Sequence, residues 1–281
     1  MTFTTLIRPA DLMGHLDDPH YLVVDCRFDL ADPAAGEAAW RDAHVPGAAY
    51  LHLDRDLSGP VSARTGRHPL PSPQAFAATL GRLGVTPATQ VVAYDAGAGF
   101  FAARLWWMLR WVGHDAAAVL DGGLAAWVAA GGRLDRSTRD RAGTDFAPRL
   151  RPEMALSAAA LQEELAAGRV ALLDARAPER FAGRVEPIDP VAGHVPGALN
   201  LPCGGNVAAD GRFLSPVELA RRFAGALGDR RGEDVVCMCG SGVTACHNLL
   251  ALELAGLPGA RLYPGSWSEW IRDPGRPVAR G

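Results

Sequence analysis

A cysteine at the mouth of a glycine-containing loop is the feature of this sequence that most directly indicates chemistry. Cys239 ends the apolar run VVCMC, which is typical of a buried parallel strand, and a helical pattern begins a few residues later. The free backbone N–H groups and the positive dipole at the start of a helix favour an anion. A thiol held there ionises more readily than a free thiol, and its thiolate is a nucleophile. The loop that would surround this sulfur consists of Gly240, Ser241, Gly242, Val243 and Thr244.

Two other cysteines lie close to Cys239 in the sequence and compete for this role. Cys237 and Cys239 have the same parity in the strand, so both side chains can face the same side of the sheet. Cys237 lies further back in the strand, where a cysteine behaves as a small buried hydrophobic residue. Cys246 falls inside the helical pattern and is expected in the core. Cys239 is therefore the predicted nucleophile.

Three kinds of chemistry are compatible with such a loop. The first is transfer of sulfur through a cysteine persulfide. The second, hydrolysis of a phosphate ester, needs an arginine at the end of the loop to hold the phosphoryl oxygens, and the sequence has Ala245 at that position. The third, metal binding by Cys237 and Cys239, lacks a second pair of ligands at zinc-like spacing, since His247 is the only nearby candidate. We therefore expect neither a metal nor a cofactor.

The elements that must position this loop occur twice along the chain, in the same order. This repetition predicts two copies of one fold. The apolar runs alternate with helical patterns such as 73–84 and 215–228, which predicts an α/β architecture with a parallel sheet flanked by helices on both faces in each copy. The matched segments are HVPGA at 44–48 and 194–198, VVDCR at 23–27 and LLDAR at 172–176, and VVAYD at 91–95 and VVCMC at 235–239.

A polar, arginine-rich segment separates the two copies. We interpret residues 136–153 as a linker between a first domain at 1–135 and a second domain at 154–281. The histidines of the two HVPGA segments, His44 and His194, occur in both copies, which indicates a structural role. The Asp-x-Arg pairs that end the matched strands are interpreted in the same way, as polar pairs of the scaffold.

Composition limits the classes of partner. The 281 residues are 48% hydrophobic and carry a formal net charge of -3, which allows a sizeable core and argues against nucleic acid or an anionic membrane as the main partner. The beginning of the chain shows no secretory pattern, and the most apolar stretch contains Arg104 and Arg110, which disfavours a membrane span. Five cysteines do not indicate a disulfide scaffold, so a cytoplasmic location is expected. A monomer is expected because the two halves can cover one another.

Together these features resemble the tandem-domain rhodanese-type sulfurtransferases, the group of the 3-mercaptopyruvate and thiosulfate sulfurtransferases. The segment CGSGVTAC at 239–246, both HVPGA segments and YPGSWSEW at 263–270 carry the resemblance, which extends over nearly the whole chain. It implies two rhodanese-like domains of which only the second is catalytic, because Asp95 stands at the position of Cys239 in the first copy. It also implies that Cys239 takes sulfur from a small anionic donor and passes it to cyanide, a small thiol or a protein dithiol.

The resemblance implies donor-binding residues as well, and two of its signals disagree about the donor. Arg180 matches the arginine that binds the anionic donor in the family. Mercaptopyruvate enzymes carry a second arginine in a Glu-Pro-Arg segment, where this sequence has Ile188 and Asp189, as in a thiosulfate enzyme. Thiosulfate enzymes commonly carry basic residues inside the loop, where this sequence has Gly240 and Ser241. Both donors therefore remain open at this point.

Several further residues are candidates for the site. Arg184 is a candidate for the missing second cation. Asp54 and His68 match an aspartate and a histidine that the first domain of mercaptopyruvate enzymes contributes, where an imidazole polarised by a carboxylate protonates the leaving pyruvate carbon. The alternative is that both are polar loop residues. Ser241 and Thr244 are expected to hydrogen-bond the sulfur, to cap the following helix, or to do both.

A second hypothesis comes from a different class of protein. Cys239 would report oxidation, or dock a partner, in a sulfur- or redox-sensing module without turnover. The intact loop and Arg180 favour catalysis, because a module without turnover need not retain them. Trp267 and Trp270 are expected to pack the core near the end of the chain, and Trp267 is also a candidate for the pocket wall.

Overall fold

The computed structural model describes residues 2–281, which form two compact units. Each unit includes a short segment that lies in the other half of the sequence, so neither unit is one uninterrupted stretch of chain. The boundaries 1–135, 136–153 and 154–281 stay a prediction. Unit 1 consists of residues 2–59, Pro71–Arg151 and Val207–Phe213, and unit 2 of Pro60–Leu70, Pro152–Asn206 and Leu214–Gly281.

Unit 1 is built on a five-stranded sheet with strand order β1-β5-β4-β2-β3, in which every neighbouring pair is parallel. Its central strands, β2 and β4, are short and fully buried, as the continuous apolar runs predict. The elements are β1 (Leu6–Ile7), α1 (Pro9–Met13), β2 (Tyr21–Asp25), α2 (Ala35–Asp42), β3 (Ala49–Tyr50), α3 (Pro73–Arg82), β4 (Gln90–Tyr94), α4 (Ala102–Trp111), β5 (Ala117–Leu120) and α5 (Gly123–Ala129).

Unit 2 has a four-stranded sheet with strand order β7-β6-β8-β9, again with parallel neighbours. Three short 3₁₀ turns, Pro152–Met154, Cys203–Asn206 and Gly232–Asp234, connect its elements. The elements are α6 (Ala158–Ala166), β6 (Ala171–Asp174), α7 (Pro178–Phe181), β7 (Leu199–Asn200), α8 (Pro216–Leu227), β8 (Val235–Met238), α9 (Ala245–Leu254), β9 (Arg261–Leu262) and α10 (Ser266–Trp270).

The register of the second sheet places Cys239 where its strands end together. In β6 and β8, Asp174 is paired with Met238, so both strands finish at one edge and Cys239 is the first residue beyond it. The carboxyl edge of an open parallel sheet is where such folds bind ligands. Below this edge, Trp267 and Trp270 are 0% and 1% exposed and pack in the apolar core. Their predicted place in the core is confirmed, and because Trp267 is fully buried it does not form an open wall.

The Asp-x-Arg pairs make equivalent contacts in both units. Arg176 Nη2 contacts Asp174 Oδ2 at 2.7 Å and donates to the Gly193 carbonyl at 2.8 Å, just before the second HVPGA segment. The equivalent Arg27 contacts Asp25 at 2.7 Å and donates to a carbonyl before the first HVPGA segment. Each arginine therefore links the loop before an HVPGA segment to the buried carboxylate at the end of a strand. These residues act in the scaffold, as their occurrence in both copies predicts.

In unit 1, the loop that corresponds to the cysteine loop is occupied by the side chain of Asp95. The Asp95 carboxylate accepts hydrogen bonds from the backbone N–H groups of Gly97 and Gly99 at 3.1 and 2.9 Å. It accepts two more from Phe101 and Ala102, at the start of α4, at 2.8 and 3.3 Å. The negative group that a helix N-terminus favours is thus part of the protein itself. Asp95 occupies the amides that a bound anion would need.

Candidate active site

The loop after β8 is held by the residues that form α10. The Cys239 N–H donates to Ser266 Oγ at 3.0 Å, and the Cys239 carbonyl accepts from the Trp267 N–H at 3.0 Å. The Gly240 carbonyl accepts from the Ser268 N–H at 2.9 Å. These bonds fix both peptide units that flank Cys239. The segment 263–270 therefore holds the cysteine loop in its conformation.

Ser266 takes an unusual backbone conformation to make these bonds. Its φ of 54° lies in the left-handed region, which is uncommon for a residue other than glycine, and the residue is completely buried. Besides accepting from Cys239, its hydroxyl donates to the Tyr263 carbonyl at 2.9 Å. The strain is stored directly beside the reactive residue, where such strain is commonly found.

Inside the loop, the sulfur of Cys239 meets a backbone amide. The Gly242 N–H donates to Cys239 Sγ at 3.1 Å, and Cys239 is only 2% exposed. Gly242 has a φ of 78°, and a Cβ built on it would lie 2.3 Å from the Pro264 carbonyl oxygen. Only glycine fits this position, because any side chain would both strain the backbone and collide with it. The amide that contacts the sulfur thus depends on the absence of a side chain.

The two hydroxyls of the loop have different partners. Ser241 Oγ is 2.7 Å from His68 Nδ1, and the two residues are 6% and 5% exposed. Thr244 is the N-cap residue of α9 but makes no side-chain capping bond, so the expected capping role of its hydroxyl is wrong. Its side chain instead contacts the Cys203 thiol. His68 belongs to unit 2, through the segment 60–70, and so reaches the loop within that unit.

Two guanidinium groups lie against the loop. A Cβ built on Gly240 would be 2.9 Å from Arg67 Nη2, and 3.6 and 3.7 Å from Nη1 and Nη2 of Arg180. These are the nearest atoms to that point, and none belongs to Arg184, which is exposed. Gly240 therefore leaves room for the two guanidinium groups, and a side chain at this position would have to displace Arg67 Nη2.

Two buried carboxylates hold the arginines. Arg180 Nη2 contacts Glu186 Oε1 at 2.7 Å and Asp189 Oδ2 at 3.2 Å, and Arg67 Nη1 forms an ion pair with Asp189 Oδ1. Burial opposes ionisation of Glu186, but hydrogen bonds from Arg180 and from two backbone amides outweigh it and lower its pKa. For Asp189, burial dominates and raises the pKa, although Arg67 and Arg180 act in the opposite direction.

Two other cysteines of unit 2, Cys203 and Cys237, are poor nucleophiles. Burial raises the pKa of Cys237, which is 0% exposed. Burial and the nearby Cys239 raise the pKa of Cys203 to about 12, although the contact with Thr244 lowers it. Both thiols stay protonated at neutral pH and therefore react slowly. This supports the choice of Cys239 over Cys237.

Three residues of the site were missed by the reasoning from sequence. Arg67 precedes the predicted His68 but carries no motif of its own, and the sequence distinguishes Ser266 and Ser268 only as members of the segment YPGSWSEW. The structure joins Arg67 to Ser268, because the Arg67 N–H donates to Ser268 Oγ at 3.1 Å. Asp54 lies in unit 1, where its N–H donates to His52 Nδ1 at 3.1 Å, and its role stays a prediction.

The hydrogen bonds of Ser266 beside Cys239 give a testable prediction. Ser266→Ala removes the acceptor of the Cys239 N–H and the donor to Tyr263, so we expect a loss of about 1–3 kcal/mol in the free energy of unfolding. Because the loop then shifts, we also expect kcat to fall about tenfold or more. Urea denaturation and steady-state rates measure the two effects.

The matched control is Ser215→Ala. Ser215 caps α8, with a capping box to Glu218, away from the cysteine loop. Its loss should cost about 1 kcal/mol of stability and leave kcat unchanged. If Ser266→Ala were destabilised but kept full kcat, Ser266 would be a stabilising residue only.

Comparison with known proteins agrees with this geometry. The family described as Rhodanese-like domain matches residues 8–130 and again 157–273. The chain belongs to the rhodanese-like family, as a two-domain member, and it is a sulfurtransferase. The fold class and the family expected from the sequence are confirmed, and a sensing module without turnover is not favoured.

Individual relatives cover between 95% and 100% of this chain. A probable 3-mercaptopyruvate sulfurtransferase of Pseudomonas aeruginosa is 50% identical over 100% of both chains. A putative thiosulfate sulfurtransferase, SseB, of Mycobacterium tuberculosis is 42% identical over 98% of this chain and 97% of its own. The crystal structure of SseA, a 3-mercaptopyruvate sulfurtransferase of Escherichia coli, superposes with a TM-score of 0.82 at 32% identity and covers 95% of this chain and 100% of its own.

Two other classes of site are absent from the part of the chain that the structure describes. No helix among residues 2–281 combines the length and the apolar character needed to cross a bilayer. No group of three or more His, Cys, Asp or Glu side chains in the same residues is arranged to hold a metal ion.

Proposed function

We propose that Cys239 carries a sulfane sulfur as a persulfide, and that 3-mercaptopyruvate is the preferred donor. The observation that carries this proposal is the buried Cys239 Sγ, which receives the Gly242 N–H and lies in the loop flanked by Arg67 and Arg180. A sulfur in this place is stabilised as an anion by backbone amides and the start of α9. An anionic donor is attracted by the guanidinium groups.

The first half-reaction forms the persulfide. The Cys239 thiolate attacks the sulfur of 3-mercaptopyruvate, an S–S bond forms, and the C–S bond breaks. The electron pair of the C–S bond stays on carbon as the enolate of pyruvate, which takes up the proton that the donor thiol gave up. With thiosulfate, the same attack breaks the S–S bond of the donor and releases sulfite, and no proton is transferred.

The need for a proton separates the two donors. His68 Nδ1 and Ser241 Oγ form a buried pair beside the loop, which suits them to carry a proton from the donor thiol to the leaving carbon. Thiosulfate has no use for such a pair. The pair, the loop without basic residues and the name of the 50% identical relative all support 3-mercaptopyruvate.

In the second half-reaction an acceptor removes the outer sulfur. A nucleophile attacks that sulfur, the S–S bond breaks, and Cys239 leaves as a thiolate; cyanide yields thiocyanate. Small thiols and reduced protein dithiols are the acceptors proposed for the cell. We keep the cytoplasm and a monomeric state as proposals, which rest on the cysteine content and on the two-domain organisation.

The test is a comparison of the two donors with cyanide as the acceptor. We expect 3-mercaptopyruvate to give pyruvate and thiocyanate in equal amounts, at a higher kcat/KM than thiosulfate gives sulfite and thiocyanate. A higher kcat/KM with thiosulfate would reject the proposed donor. Absence of thiocyanate with both donors would reject sulfur transfer itself and restore the sensing module.

A further inference from the structure

The donor site contains an arginine in addition to Arg180. Arg67 lies in the segment Pro60–Leu70 of unit 2, far from Arg180 in the sequence. Its Nη2 would lie 2.9 Å from a Cβ on Gly240, closer than either terminal nitrogen of Arg180. The two guanidinium groups therefore converge on one point, a single residue away from the nucleophile.

Arg67 has hydrogen-bonding capacity left over. Its Nη1 pairs with Asp189, but its Nε is buried and has no hydrogen-bond partner among residues 2–281. A buried donor without a partner costs free energy, so it is generally satisfied by a group that binds there. By contrast, Arg180 Nε donates to Glu186 and Arg180 Nη2 donates to both carboxylates, so that within the described residues only its Nη1 has no partner.

The charge balance also requires a second cation. Without Arg67, the positive charge of Arg180 would lie beside two carboxylates, Glu186 and Asp189, and this arrangement would repel an anionic donor. Arg176 Nη1 also contacts Glu186 Oε2, at 3.5 Å, but Arg176 is paired with the buried Asp174 at 2.7 Å, so the Arg176–Asp174 pair adds no net charge to the site. With Arg67 included, two guanidinium groups face two carboxylates, and the donor meets no net negative charge.

The backbone of Arg67 is hydrogen-bonded to the segment 263–270, which also holds Cys239. The Arg67 N–H donates to Ser268 Oγ at 3.1 Å. A Cβ on the preceding Gly66 would lie 2.5 Å from the Gly265 carbonyl oxygen, so the two backbones approach more closely than a side chain would allow. Arg67 and the loop are thus positioned by the same segment, which suits Arg67 for binding rather than for general surface charge.

We propose that Arg67 is the second donor-binding cation and that, with Arg180, it binds the carboxylate of 3-mercaptopyruvate beside Gly240. Asp189 is the positioning residue of this pair, because its two oxygens contact one guanidinium each. The inference rests on the proposed function. It assigns to Arg67 the cationic role for which the sequence offered Arg184.

The test compares a charged donor with a neutral one. In the full chain, Arg67→Met removes the guanidinium and keeps an unbranched side chain. We expect kcat/KM for 3-mercaptopyruvate to fall roughly tenfold to a hundredfold, mainly through KM, because a charge-assisted hydrogen bond is lost. The rate with the methyl ester of 3-mercaptopyruvate, which lacks the carboxylate charge, should change by only a few-fold. We therefore expect Arg67→Met to lose most of the preference for the acid over the ester that the wild-type chain shows.

Controls separate binding from structure. Arg64→Met changes an exposed arginine of the same segment and should keep the wild-type preference. Labelling of Cys239 by iodoacetamide, a neutral reagent, reports whether the loop is intact. Arg67→Lys keeps the positive charge but loses the paired N–H donors of the guanidinium group, so it should show a partial loss of preference for the acid over the ester. If Arg67→Met does not fold, Arg67→Lys replaces it in the test.

The outcomes are distinct. An unchanged preference in Arg67→Met or in Arg67→Lys, or an equal fall with acid and ester, would overturn the role of Arg67. Failure of the wild-type chain to use 3-mercaptopyruvate at all would instead overturn the proposed donor.

Discussion

Cys239→Ser abolishes sulfur transfer from both donors. We expect a fall in kcat on the order of a thousandfold or more, because the hydroxyl is not ionised at neutral pH and removal of a nucleophile leaves only the contribution of binding. The change replaces one atom in a residue that is 2% exposed, so the fold should be retained. Thiocyanate formation with each donor measures the effect, and thermal unfolding checks the fold.

The control for this variant is the same substitution at another cysteine. Cys203 lies near the loop and is half-buried, and burial raises its pKa to about 12. Cys203→Ser should therefore keep activity within a few-fold of the wild-type rate. If Cys203→Ser lost as much activity as Cys239→Ser, the assignment of the nucleophile would have to be reconsidered.

The second large effect concerns His68 and depends on the donor. His68→Asn leaves a side-chain amide that can still pair with Ser241, but this amide cannot carry a proton. We expect kcat with 3-mercaptopyruvate to fall about 10²- to 10⁴-fold, the usual contribution of a general acid–base group. With thiosulfate, which needs no proton, the rate should change by only a few-fold. Initial rates of pyruvate and sulfite release measure the two reactions.

The control for this prediction is His20→Asn, because His20 is exposed and belongs to unit 1. This variant should leave both rates unchanged. Equal losses with the two donors in His68→Asn would show that His68 supports the loop and does not transfer a proton. In that case its bond to Ser241 would be structural.

The parts of the site that the sequence made visible are those that are local along the chain. Cys239 and the five residues after it lie between a buried strand and a helix, so their types and order sufficed to predict an anion-binding turn. Ser215 likewise marks the start of α8 through its capping box with Glu218. Such features depend on neighbours a few residues away, and short-range patterns report them.

The parts that stayed hidden depend on long-range contacts. The hydrogen bond from Arg67 to Ser268 joins residues 201 positions apart, and nothing in the pattern around Arg67 distinguishes it from a solvated arginine. The sequence indicates Asp189 only as the place of a missing arginine, whereas in the structure Asp189 pairs with two arginines. The positive φ of Ser266 was equally invisible, because serine has no preference for that conformation.

The most direct test of the account is the mass of the protein after incubation with 3-mercaptopyruvate in the absence of an acceptor. Residues 237, 239 and 246 share the stretch between Arg231 and Arg261, so fragmentation of that peptide must locate the added mass. We predict a gain of one sulfur atom on Cys239, removed by cyanide with release of thiocyanate. An unmodified Cys239 in a chain that still turns over, or a sulfur located on Cys237 or Cys246, would contradict it.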